Sequence, residues 1–176
     1  LLTILVPRHP DRAAEVAALI ETMGMKVALR SRNDPSDADT DIFIGDTIGD
    51  MGLYLRMAEI AFVGRSLTAQ GGQNPLEPAM LKSAILSGRN VQNFRDSYQR
   101  LIKNGAAKLV RDKDMLAGAV NYLFNNPAER QIMIDAGLKT VEDMRGSLSR
   151  TMTALEPYLQ PLVLQARLSN RESAWK

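Results

Sequence analysis

The chain contains no cysteine. That excludes a disulfide framework, a thiolate nucleophile and a cysteine-bound metal, and it fits a reducing compartment. There is one histidine, His9, with no Asp or Glu at ligand spacing, so it does not make a metal site. Aromatic residues are scarce, with four Phe, four Tyr and one Trp, which leaves few platforms for stacking bases. No apolar run approaches the ~20 residues of a membrane span, and the opening residues lack the pattern of a signal peptide. Neither sign of charge dominates: 22 Lys and Arg against 20 Asp and Glu leave a net +2, and there is no basic run. Nucleic acid is therefore not an expected partner.

What is present describes one globular domain. The 176 residues are 45% hydrophobic and 24% charged, enough to bury roughly two-thirds of the unfolded surface. Leu2–Val6 reads as a strand buried on both faces and ended by Pro7. A helix capped by Asp11 follows, with Ala13, Val16, Ala17, Ile20 and Met23 on one face, and Gly24 ends it. Further strands are expected at Lys26–Arg30, Asp41–Ile44, Ile60–Val63, Ala84–Leu86 and Ala107–Val110. Helices are expected at Gly49–Met57, Pro75–Lys82, Arg95–Lys103, Asp112–Phe124 and Pro127–Ala136. Met115, Leu116, Val120, Leu123 and Phe124 read as one core face. Beyond Gly137 the pattern stays helical to about Leu168, broken at Gly146, Pro157 and Pro161.

Strands alternating with helices give an α/β fold: a Rossmann-like, about six-stranded parallel sheet with helices on both faces. The expected organisation is a nucleotide-binding domain over residues 1–150 and a helical tail over 151–176. The chain opens inside a core strand without Met, the expectation for a piece of a longer protein. In such sheets ligands lie beyond the carboxyl ends of the strands. Three segments begin there: Pro7-Arg8-His9-Pro10, Gly45-Asp46-Thr47 and Gly64 onward.

The third is the richest. AFVGRSLTAQGGQNPLEPA runs from a strand through a glycine-marked loop into a helix. Asn74 suits the N-cap, Pro75 the first helical position, and Glu77 the capping-box position. Gly71 and Gly72 let backbone come close to a ligand, and a helix N-terminus favours a phosphate. No P-loop lysine follows Gly45-Asp46-Thr47, so that segment is not a triphosphate motif.

GGQNPLEPA preceded by AFVG resembles the signature of the bacterial Kdo transferases, which pass 3-deoxy-manno-octulosonate (Kdo) from CMP-Kdo to lipid A precursors. The segments at Pro7–Pro10 and Gly45–Met51 stand in the order that family shows. The resemblance covers about residues 3–125. It departs at Arg65, where the family usually has a second glycine, and at Gln73, where it commonly has a histidine. The resemblance implies the C-terminal, donor-binding half of a GT-B glycosyltransferase. It also implies CMP-Kdo as substrate, no metal or other cofactor, and a lipid A precursor engaged by a separate N-terminal domain. That domain would hold the catalytic base, so no catalytic residue is expected here. The full-length protein would then work at the cytoplasmic face of the bacterial inner membrane. The alternatives are another nucleotide-sugar enzyme, such as a UDP-sugar transferase or epimerase, and a non-catalytic nucleotide-binding module.

The candidate donor-binding residues are Arg8, His9, Gly45, Asp46, Thr47, Met51, Gly64, Ser66, Gly71, Gly72, Asn74 and Glu77. Arg8 can fork onto a phosphate or carboxylate, or else pair with Asp11 or Asp46. His9 either meets substrate or fixes the loop before Pro10. Thr47 either caps a helix with Asp50 or meets the nucleotide, with Met51 against the cytosine. Gly64, Ser66, Gly71, Gly72 and Asn74 offer amides and hydroxyl or amide groups to the phosphate. Glu77 is either a capping-box residue or, as in glycosyltransferases of this type, an acceptor for the ribose hydroxyls. Asn93-Phe94-Arg95 lies near the same rim.

Overall fold

The structure, a computed structural model, describes residues 1–172, with side chains for 1–146 and 151–159. Six strands alternate with six helices. They run β1 (Thr3–Leu5), α1 (Ala13–Thr22), β2 (Val27–Leu29), β3 (Ile42–Ile44), α2 (Met51–Met57) and β4 (Ile60–Val63). Then come α3 (Leu76–Met80), β5 (Ala84–Ser87), α4 (Arg95–Lys103), β6 (Ala107–Leu109), α5 (Lys113–Asn125) and α6 (Pro127–Glu172). Every ladder is parallel, as expected, but the strands form two three-stranded sheets rather than one of six. Their orders are β1-β3-β2 and β4-β5-β6, with Thr3 and Val27 both opposite Ile42 and Ile60 opposite Ala84. No ladder joins β1 to β4.

Each sheet buries its own core. In the first, Ala13, Ala17 and Ile20 of α1 cover Leu29 and Ile44. Val16 is partly buried against the same cluster, whereas Met23 is exposed. On the second sheet Val63, Ile85, Leu101 and Val141 form one cluster, and Leu86, Leu123, Met133 and Ile134 another, so helices cover both faces. Ile85, Leu86, Leu101 and Leu123 are fully buried, each contributing about 1.5–3 kcal/mol of transfer free energy. Of the face expected on α5, Leu116 and Val120 pack partly and Leu123 fully, while Met115 and Phe124 are exposed. The helix turns those two ends away from the sheet.

Three local expectations are corrected. Asp11 lies in a 3-10 turn, Pro10–Arg12, and caps nothing, so α1 begins at Ala13 without a side-chain cap. The helix after the glycine loop ends at Met80, because Lys82 takes a left-handed conformation, φ 67°. Finally, α6 runs on through Gly146, Pro157 and Pro161. A proline removes one backbone bond, and the surrounding Leu, Met, Ala and Gln residues are good helix formers that carry the helix across. The 150/151 boundary thus falls inside one helix. Met152, Leu155, Tyr158 and Leu159 on it are exposed; the side chains further along the expected tail lie outside the described residues.

Candidate functional site

The loops after β1 and β4 meet. Arg8 donates from Nη1 to Gln73 Oε1 at 3.0 Å. Arg8 forms no ion pair among the described residues, so the alternative pairing with Asp11 or Asp46 is not made. That is the one hydrogen bond of the Arg8 side chain among the described residues, and Arg8 is exposed. His9 is exposed, its backbone carbonyl accepting from Arg12 N at 3.1 Å and its ring capping nothing.

The glycine loop is braced from inside. Gly71 N donates to Gln92 Oε1 at 3.1 Å and Gly72 N to Arg65 O at 3.0 Å. Both glycines have positive φ, 107° and 72°. A Cβ on Gly71 would meet Asn93 Nδ2 at 2.8 Å, and one on Gly72 would meet Val91 Cα at 3.0 Å. The close approach expected of a ligand is therefore made by the 90–93 segment, and neither amide is free for a phosphate. Asn93 is exposed beside the loop, its backbone amide donating to Gly71 O at 3.0 Å.

Ser66 is also withdrawn. It is fully buried, donating to Val63 O at 2.7 Å and accepting from Gly88 N at 2.8 Å. A Cβ on Gly88 would overlap the Ser66 carbonyl. Beside it, Ser87 donates to Tyr98 Oη at 3.1 Å, and Tyr98 donates on to Gln73 O at 3.4 Å. Burial pushes the Tyr98 phenol above its ordinary pKa, against the Ser87 hydrogen bond. Tyr98 thus supports the residue that holds Arg8. Residues 25 and 65 positions from Gln73 in the chain gave no sequence signal of either contact.

The helix opening stays accessible. Asn74 Oδ1 accepts from Leu76 N at 3.0 Å, but the helix starts one residue later than drawn from sequence, so Pro75 rather than Asn74 stands at the N-cap. Asn74 and Glu77 are exposed, while Pro75 is buried. The Glu77 carboxylate makes no hydrogen bond among the described residues, so the capping box is not formed. With five residues, α3 brings few aligned peptide dipoles.

The Gly45–Met51 segment is largely structural. Gly45 is buried, its amide donates to Leu5 O at 2.9 Å, and Tyr54 Cε2 would lie 2.5 Å from an added Cβ. Asp46 accepts from Ser31 N at 2.8 Å and from Ser31 Oγ at 2.6 Å, tying β3 to the turn after β2. Thr47 donates to Asp50 Oδ2 at 2.6 Å, while Asp50 occupies the N-cap of α2 without a side-chain cap bond. The helix accordingly starts at Met51, two residues later than Gly49. The Thr47 hydroxyl first, and with a smaller effect Arg30 at 3.3 Å, hold the Asp50 carboxyl below the usual aspartate range, against its desolvation. Met51 is 40% exposed and Ile48 91%. Of the twelve residues, Arg8, His9, Met51, Gly64, Asn74 and Glu77 remain open to a ligand.

Among the described residues no group of three His, Cys, Asp or Glu could hold a metal. An open cleft lined by Glu21, Lys26, Asp34, Asp37 and Asp39 lies at the opposite, amino end of β2. There the backbone amide of Asp39 and the Thr40 hydroxyl lower the Asp37 pKa.

This geometry has known counterparts. No family model matches the chain. The 3-deoxy-D-manno-octulosonic acid transferase of Haemophilus influenzae is 35% identical over 161 residues, 91% of this chain and 38% of that protein. The Bordetella pertussis enzyme of the same name is 34% identical over 159 residues, 90% of this chain and 37% of that protein. The crystal structure of the C-terminal CMP-Kdo binding domain of WaaA from Acinetobacter baumannii superposes with a TM-score of 0.77 at 26% identity, covering 80% of this chain and 74% of that one. The chain belongs to the Kdo transferase family. It spans little more than a third of the length of the curated relatives it matches, and its fold is that of the C-terminal GT-B domain. Arg65 has φ 55°, a conformation that costs a side-chain-bearing residue about 1–2 kcal/mol. Arg65 meets that cost in part by donating from Nε to Gln70 O at 3.2 Å. No helix among the described residues is long and apolar enough to cross a membrane.

Proposed function

We propose that this chain is the donor-binding domain of a Kdo transferase and that it holds CMP-Kdo between the β1 and β4 loops. The observation that carries the reading is the Arg8–Gln73 hydrogen bond, which brings a guanidinium beside the accessible opening of α3. The phosphodiester of CMP-Kdo, or the sugar's own carboxylate, receives the free donors of Arg8, with the amides of Gln73 and Asn74 beside it. Glu77, exposed and unpartnered one turn on, accepts from the ribose hydroxyls. Like charges repel, so Glu77 faces the pentose rather than the phosphate. Met51 packs on the base.

Transfer is direct displacement at the anomeric carbon, with CMP leaving. Negative charge grows on the CMP phosphate, and donors already aimed there stabilise it most in the transition state. This reading assigns that work to Arg8 and backbone amides, without a metal. The full-length protein supplies the base and the lipid A precursor site from its N-terminal domain, at the cytoplasmic face of the inner membrane. Calorimetric titration with CMP tests the reading. Binding weakened by Glu77→Ala and by Arg8→Ala supports it; no heat at millimolar CMP contradicts it. UDP, UMP and GDP run in parallel separate it from a UDP-sugar enzyme.

A further inference from the structure

We propose that Arg65, Arg89 and Arg111 form a second anion subsite, apart from the one at Arg8, that takes a phosphate group of the molecule receiving the sugar. The subsite rests on sheet register and charge; only the ownership of the phosphate rests on the donor reading. In the second sheet Val63 stands opposite Ser87, and Ser87 opposite Leu109. Each of the three arginines lies two residues past that rung, at the carboxyl edge where ligands gather in parallel sheets. The segments stay side by side beyond the ladder. Gly88 N donates to Ser66 Oγ and Asn90 N to Ser66 O, while Val110 N donates to Ser87 O. Neighbouring strands lie about 4.8 Å apart, so the row is about 10 Å long.

Its charge is not neutralised. All three arginines are exposed, and none forms an ion pair among the described residues. Arg65 spends Nε on Gln70 O at 3.2 Å. No Asp or Glu stands between Val63 and Glu77, or between Ser87 and Asp96. Asp112, next to Arg111, has Oδ1 committed to Met115 N as the N-cap of α5. The first sheet does the opposite at its carboxyl edge. Arg30, one residue past β2, pairs with Asp50, and Asp46, two past β3, accepts from Ser31. Like charges held in a row repel, and Arg65 carries the cost of φ 55° as well. Backbone strain of that kind gathers at binding sites.

Three guanidinium groups in a line suit a phosphate better than a carboxylate. Their planar forks match its oxygens, and its second negative charge balances more of the row. The donor's own anions do not fill it. In a sugar acid activated at the anomeric carbon, phosphate and carboxylate are both attached at that carbon, so both stay in the corner held by Arg8. The row starts beside that corner, where Gly72 N donates to Arg65 O next to Gln73, and runs from β4 across β5 to β6. A molecule reaching the anomeric carbon from that side lays its phosphate along the row.

Amide-resolved titration of this chain with pyrophosphate at constant ionic strength, with and without saturating CMP, tests this. Saturable shifts at Arg65, Arg89 and Arg111 are expected whether or not CMP is present. Arg89→Gln and Arg111→Gln should each weaken pyrophosphate about tenfold and leave CMP affinity unchanged. No shifts in the row, shifts that CMP abolishes, or equal shifts from chloride at the same ionic strength would overturn the subsite. In the full-length protein the same two variants should raise KM for the sugar acceptor several-fold, with KM for the donor unchanged; an unchanged acceptor KM would overturn the assignment to the acceptor. If CMP itself does not bind, the donor reading fails, and pyrophosphate alone still decides the row.

Discussion

Two glycines bordering the loop are expected to respond to alanine with opposite signs. At Gly88 the new Cβ would overlap the carbonyl of Ser66 and lie 2.5 Å from Leu67 N. That backbone is pinned: Asn90 N donates to Ser66 O at 2.9 Å, and Asn90 Nδ2 to Leu67 O at 3.0 Å. Relief therefore requires breaking the Gly88 N–Ser66 Oγ bond inside the fully buried Ser66 site. Overpacking costs about 1–3 kcal/mol, and an unsatisfied buried partner about 1–3 kcal/mol more. Gly88→Ala should lose about 2–6 kcal/mol, a large share of the roughly 5–15 kcal/mol that holds a domain together. At Gly64 nothing lies within 4 Å of the new Cβ and φ is not positive. Gly64→Ala should be stabilising by about 0.4–1 kcal/mol through the unfolded chain. Urea unfolding of both variants reads the difference directly. A Gly88→Ala loss below about 1 kcal/mol would refute the account of Ser66 as the buried pin of the loop.

Other expectations follow from the same contacts. Arg65→Gly removes a left-handed side chain but adds backbone freedom of about 0.5–1 kcal/mol, so a net stabilisation of about 0.5 kcal/mol is expected by thermal unfolding; a loss would contradict it. Tyr98→Phe removes the hydroxyl between Ser87 and Gln73 and should cost about 1 kcal/mol, with weaker CMP binding as Gln73 loosens; unchanged stability and binding would remove Tyr98 from the site's support. Because the folded Asp50 carboxyl titrates below its ordinary value, its contribution is present at neutral pH and lost as pH falls through that lowered pKa. Thr47→Val should move the Asp50 titration, followed by NMR, upward toward the ordinary range.

The parallel α/β order and the strand positions were legible because apolar runs and turn residues mark them locally; the junction of Arg8 with Gln73, 65 positions away, was not. The division into two sheets was not, since apolar runs mark strands but not which strands pair. Gly71 and Gly72 show a second limit. A glycine-rich loop reads the same whether a ligand or another stretch of backbone comes close, and here residues 90–93 do. Ser66 and Asp46 carry the polar groups a binding site needs, yet spend them on Val63, Gly88 and Ser31. Glu77 went the other way: its spacing from Asn74 predicts a capping box, and the carboxylate stays free.

Mapping CMP onto the backbone amide spectrum of this domain tests the donor assignment most directly. The account predicts saturable shifts at Arg8, Gln73, Asn74 and Glu77, weakened about tenfold or more in Glu77→Ala, the loss of one charged hydrogen-bond partner. Shifts confined to the cleft around Asp34–Asp39, or none at millimolar CMP, would contradict it.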